Sequence, residues 1–143
     1  MKGRKLKNYE NYLLKIKSYA KAVGIKIIYN EDMEEGVYYP STKTISISDH
    51  LPNSCEIAIL LHEFGHSIDE YISHKPTRDI LDDAYNAMYA EKCTPEQEKI
   101  VLDSEKRAWV FGRSIAKNLN IKLGDWYYKT KATCLLGYRT HGN

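Results

Sequence analysis

Cysteine is scarce in this chain. Cys55, Cys93 and Cys134 are three in number, widely separated, and never in a C-x-x-C arrangement. That spacing excludes a disulfide framework and a cysteine-held zinc site. Each Cys reads as a small buried apolar residue, and a reducing, cytoplasmic compartment is the expectation. Long uncharged apolar runs are also missing, so no membrane span is expected. The basic start Met1-Lys2-Gly3-Arg4-Lys5-Leu6-Lys7 is not followed by the apolar segment of a secretory signal. Charge of one sign is lacking too: 21 Lys and Arg against 19 Asp and Glu leave a net +2, which argues against a nucleic-acid partner. No repeat, low-complexity stretch or linker divides the 143 residues, so residues 1–143 are read as one domain.

What the chain does carry is His62-Glu63-Phe64-Gly65-His66. Residues i and i+4 of an α-helix share a face about one turn apart, so both imidazoles can reach one ion. Glu63 points off that axis, free to meet a water rather than the metal. This is the H-E-x-x-H pattern, in which two His hold zinc and the Glu is the general base. The run Ile57-Ala58-Ile59-Leu60-Leu61 just before it predicts a largely buried helix.

The elements around it read as follows. Leu6, Tyr9, Tyr12, Leu13, Ile16, Tyr19, Ala20 and Val23 recur at helical spacing, with Gly24 as the C-terminal cap. Lys7, Lys15, Lys17 and Lys21 form the opposite, solvated face. Residues 25–29 predict a strand, and residues 37–39 and 44–48 a hairpin around Pro40–Lys43. Ile alternates with Ser and Thr in residues 44–48, which predicts one buried and one wet face, and an edge position there would let that strand pair with an extended peptide. Asn53 with Glu56 predicts a capping-box-like start, the active helix running over about 54–73 until Pro76. Thr77 is expected to cap a third helix with Ile80, Leu81, Ala84, Tyr85 and Met88 inward. Thr94-Pro95-Glu96-Gln97 is a strong start for a long helix ending near 118–120. Trp126, Tyr127 and Tyr128 are followed by what reads as a short polar tail. The class is α+β: a small, mostly antiparallel sheet packed on the active helix, with further helices.

A catalytic zinc takes three protein ligands and leaves one position open. A third His six residues past the second is excluded, because position 72 is Ile72, and Asp69 stands where that pattern has Gly. Glu70 and His74 lie on the same helix as the pair, and ligands at i, i+4 and i+8 would span about 12 Å. The third ligand therefore comes from another element. Glu105 is the leading candidate, on a stripe with Ala108, Trp109 and Gly112, and Asp103 is the other. A carboxylate on an apolar stripe is costly to bury unless it is paired or holds a metal.

Three segments resemble the ImmA/IrrE-type zinc metallopeptidases, compact gluzincins of bacteria, phages and mobile elements. They are Gly36-Val37-Tyr38-Tyr39 with Thr44-Ile45-Ser46-Ile47, then Leu61-His62-Glu63-Phe64-Gly65-His66, then Glu105-Lys106-Arg107-Ala108-Trp109-Val110-Phe111-Gly112. The last is similar to that family's Glu-x-x-Ala-x-x-Phe-Ala helix, with Gly112 in place of the final Ala and a whole helix intervening between His66 and Glu105. The resemblance implies a zincin-like fold over residues 25–119, zinc on His62, His66 and Glu105, Glu63 as base, and a protein substrate, with repressor-type regulators as the class. A second oxyanion donor is expected, with Tyr127, Tyr128 and His141 as candidates, and Asp69 is a candidate to hold a ligand histidine by its ring N–H. A zinc-bearing binding module that does not cut, and a zinc hydrolase of small amides, are the competing readings.

Overall fold

Glycine 24 ends the first helix with φ +76°, a conformation that costs an L side chain but not Gly. That helix, α1, spans Lys2–Val23 and seats Ile16 and Ala20 in the core. The computed structural model describes residues 2–141, with side chains placed for residues 8–138. After Gly24 come β1 (Lys26–Asn30), β2 (Gly36–Tyr39) and β3 (Thr44–Ser48). Four helices follow among the described residues: α2 (Asn53–Ile72), α3 (Lys75–Tyr89), α4 (Pro95–Asn118) and α5 (Asp125–His141). The α+β class with a small sheet and further helices is the observed one.

The sheet has three strands in the order β1-β3-β2. After β1 the chain crosses to the far side before turning back, so β3 slots between its two predecessors. It therefore pairs parallel to β1, Ile27 opposite Ile45, and antiparallel to β2, Val37 opposite Ser46. The sheet is thus mixed, with one pairing of each kind. The edge position considered for residues 44–48 belongs to β1 and β2 instead. Nor is one face of β3 wet: Ser46 and Ser48 are buried along with Ile45 and Ile47.

Helix α2 is the hub. Its residues from Ile57 to Gly65 are buried on every side, because α1, α4, α5 and the sheet all pack on it. Its start differs from the expected one. Pro52 is the N-cap, no side chain caps it, and Asn53 is already helical. Pro76 does not merely stop α2 but sits in the first turn of α3, where its missing N–H costs nothing. On α3, Leu81 and Ala84 are buried but Ile80 is exposed, a narrower inner face than the sequence suggests. Helix α4 starts as expected, with the reciprocal Thr94–Gln97 capping box formed.

The expected polar tail is in fact α5, which packs on α2 and α4 through Tyr127 and Leu135. The three cysteines are free and half-buried rather than fully buried. No helix among the described residues is long and apolar enough to cross a membrane.

Candidate metal centre

The site depends on how closely α2 and α4 approach. A methyl group built on Gly65 would lie 1.9 Å from the Ala108 carbonyl oxygen, and one on Gly112 would lie 2.7 Å from that of Leu61. Two glycines, one per helix, thus let each backbone rest on the other. Glu105 lies one turn before Ala108 on α4, so the contact delivers its carboxylate to the histidines of α2.

The three side chains converge. Glu105 Oε1 lies 3.1 Å from His62 Nε2, Glu105 Oε2 lies 2.8 Å from His66 Nε2, and the two Nε2 atoms are 3.1 Å apart. Donors held about 2.1 Å from one tetrahedral ion stand about 3.4 Å from each other. The observed contacts, made through a different carboxylate oxygen to each histidine, are close to that size, and the His62, His66 and Glu105 group can hold a metal ion. Asp103, the alternative, faces outward and pairs with Lys99.

Electrostatics fit a cation at this point. Burial raises the Glu105 carboxyl, but the two imidazoles outweigh it and hold the group well below the usual range. At His66 burial opposes the charged ring, yet Glu105 prevails and pushes the imidazole up to about 9. An anionic carboxylate thus favours positive charge between these residues. Glu63, 5% exposed, is raised mainly by burial, against the lowering effect of His62 and His66. Its Oε2 lies 3.9 Å from His62 Nε2, near the trio without joining it.

His62 is held at Nε2 by Glu105 and on its ring face by stacking. Its ring lies on the Trp109 indole, centroids 4.2 Å apart and 24° between planes. Its Nδ1 is buried without a hydrogen-bond partner among the described residues. The role considered for Asp69 is therefore not the one it has. Asp69 accepts two hydrogen bonds from Arg107, Nε to Oδ1 at 2.7 Å and Nη2 to Oδ2 at 3.1 Å. It ties α2 to α4 beside the site instead of gripping a histidine.

The trio opens onto a cavity of about 650 Å³, walled by β2, α2, α3, α4 and α5. Neither Tyr127 nor Tyr128 lines it. The Tyr127 hydroxyl donates to the Trp109 carbonyl in the core, and half-exposed Tyr128 borders a separate depression with Arg113 and Lys117. The His141 side chain lies outside the described residues. The tyrosines that do face the trio are Tyr85 and Tyr138. Tyr85 donates to Glu105 Oε2 at 2.6 Å, and Tyr138 has its hydroxyl raised by burial and by the charge and hydrogen bonding of Glu105. Sequence reasoning assigns Tyr85 only to an inner helix face. The available signal is that a tyrosine on such a face needs a polar partner for its hydroxyl.

Apart from the trio and Glu63, the charged side chains along the cavity are Glu35, Asp69, Glu70 and Asp82, with no Lys or Arg among the described residues that line it. The chain matches no protein-family model, no curated protein and no solved structure.

Proposed function

We propose that this protein is a zinc metallopeptidase that hydrolyses a peptide bond in a protein substrate. The observation that carries the reading is the meeting of His62, His66 and Glu105 at about 3 Å, with Glu63 beside them on an open cavity. Two imidazoles and one carboxylate are a donor set that suits zinc and leaves a position free for catalysis. When bound, zinc would supply Lewis acidity, polarising the scissile carbonyl and making water acid enough to lose a proton near neutral pH.

The remaining work falls to the chain. Glu63 takes the proton from the attacking water and passes it to the leaving amine. The outer edge of β2, unpaired by any strand among the described residues, borders the same cavity and can take an extended segment as an added strand. Glu35, Glu70 and Asp82, the last two only partly offset by Arg78, favour a segment carrying basic side chains. The resemblance to ImmA/IrrE-type enzymes supports a repressor-type regulator as substrate. Three free thiols are compatible with a cytoplasmic setting.

The test is Glu63→Gln assayed beside wild type on a mixed peptide library, with zinc content measured on both. The variant is expected to keep zinc and lose at least about 10² to 10⁴ in hydrolysis. Cleavage by the variant at the wild-type rate would overturn the reading.

A further inference from the structure

Helix α3 stands between the two ligand-bearing helices in sequence but packs chiefly on α4. It nevertheless reaches the trio. Tyr85, on its inner face, donates to Glu105 Oε2 at 2.6 Å, a length typical of a charge-assisted O–H···O⁻ bond. Its ring meets His66 edge-on, at 80° with centroids 6.4 Å apart. Behind it stands Ser104, fully buried, whose Oγ lies 3.2 Å from the Tyr85 hydroxyl and 3.3 Å from Asp69 Oδ2. Arg107 closes the chain of contacts by clamping Asp69. One continuous polar path therefore joins α2, α3 and α4 and ends on a single oxygen of the acidic ligand.

We propose that Tyr85 is a positioning residue of the metal centre, fixing Glu105 Oε2 so that Oε1 is presented to the ion as a single-oxygen ligand. The inference rests on the zinc reading above. A carboxylate with two free oxygens can rotate about its last torsion and bind an ion through one or both. A donor seated on Oε2, which also meets His66 Nε2 at 2.8 Å, limits that freedom, with Tyr138 a second hydroxyl hydrogen-bonded to the same carboxylate, and Oε1 is the oxygen beside His62 Nε2, at 3.1 Å. Outer partners of this kind tune a site through the ligand they hold. This makes α3 a working part of the centre rather than a spacer between its halves.

The experiment measures zinc affinity by chelator competition for wild type, Tyr85→Phe, Glu105→Ala and the double variant. Tyr85→Phe keeps the ring and removes only the hydroxyl. It is expected to weaken zinc binding about tenfold to a hundredfold. In the Glu105→Ala background the same change is expected to have no effect, because Tyr85 acts only through Glu105. The visible spectrum of the Co²⁺-loaded Tyr85→Phe protein is expected to shift from wild type as the carboxylate changes its mode of binding, a signature that altered packing alone would not give. Affinities are read below each variant's own melting transition, so a less stable variant still reports. Equal affinity and spectrum in wild type and Tyr85→Phe would overturn the inference while leaving the zinc centre intact. A wild type that binds no zinc would overturn the centre itself and the inference with it.

Discussion

Gly65 and Ala108 touch backbone to backbone, with no room between them for even one methyl group. The contact is repeated in reverse at Gly112 and Leu61, seven residues from Glu105 on the same helix. Just before the first of these points α4 presents Glu105 to the histidine pair, and between them it presents Trp109 to the face of His62. The metal centre is thus set by how near two helices can come, and that is set by two missing side chains.

Gly65→Ala should accordingly disturb both stability and metal binding. Its methyl would meet backbone, which cannot swing aside, so α4 must move. Overpacking of this kind costs about 1–3 kcal/mol. The separation of Glu105 from His62 and His66 would grow with it. Gly112→Ala should be milder, since its contacts are longer and one of them is the Tyr127 hydroxyl, the end of a side chain. Thermal melts and zinc titration of the two variants should rank Gly65→Ala as the worse in both respects. Wild-type behaviour of Gly65→Ala would show that the two helices need not approach as closely as described.

The part of this site that the sequence displays is the local part. His62, Glu63 and His66 lie within one and a half turns of a single helix, so their spacing alone places them together. Thr94 and Gln97 likewise announce the start of α4, because a capping box is made of neighbours. Glu105 is legible through its stripe of Ala108, Trp109 and Gly112, although only packing separates it from Asp103. What stays hidden is non-local. Nothing within residues 44–48 says that a strand made third will lie in the middle of the sheet. Helix α5 is hidden for a different reason: Lys129, Thr130 and Lys131 interrupt its apolar positions, and its buried residues, Tyr127 and Leu135, are widely spaced. Without that helix, Tyr127 and Tyr128 look like free candidates for the cleft, whereas α5 turns them away and brings Cys134 and Tyr138 instead.

Metal should stabilise the fold, because the trio is assembled only in the folded chain. At a free zinc concentration a hundred times the dissociation constant, binding contributes about 2.7 kcal/mol. For a domain of this size that corresponds to a rise in melting temperature of roughly 5–10 °C. Chelation should reverse the rise, and Glu105→Ala should abolish it. A melting temperature indifferent to both zinc and chelator would speak against a metal at this place.

The Asp69–Arg107 pair should behave as a buried charge with a half-exposed partner. Asp69 is 3% exposed, whereas the Arg107 side chain is 44% exposed, so solvent screens part of the attraction. Arg107→Ala leaves a buried carboxylate with Ser104 as its side-chain hydrogen-bond donor among the described residues and should cost about 1–3 kcal/mol. Adding Asp69→Asn should recover part of that loss, because the stranded charge is gone. Urea unfolding of the two single variants and the double variant reads the coupling directly. Simple additivity of the two losses would mean that the pair does not act as one unit.

Tyr127→Phe separates a core tyrosine from a catalytic one. The Tyr127 side chain is 1% exposed, and its hydroxyl donates to the Trp109 carbonyl. That carbonyl belongs to the helix turn whose indole carries His62. Removing the hydroxyl leaves the carbonyl short of one donor and should lower stability by about 1 kcal/mol. The cavity beside Glu63 is not lined by Tyr127, so hydrolysis measured well below the melting transition should keep its kcat and its KM. A fall in kcat of a hundredfold, with the fold intact, is the loss expected when an oxyanion donor is removed. That outcome would mean Tyr127 leaves the core during turnover, and the placement of the catalytic tyrosines would have to be redrawn.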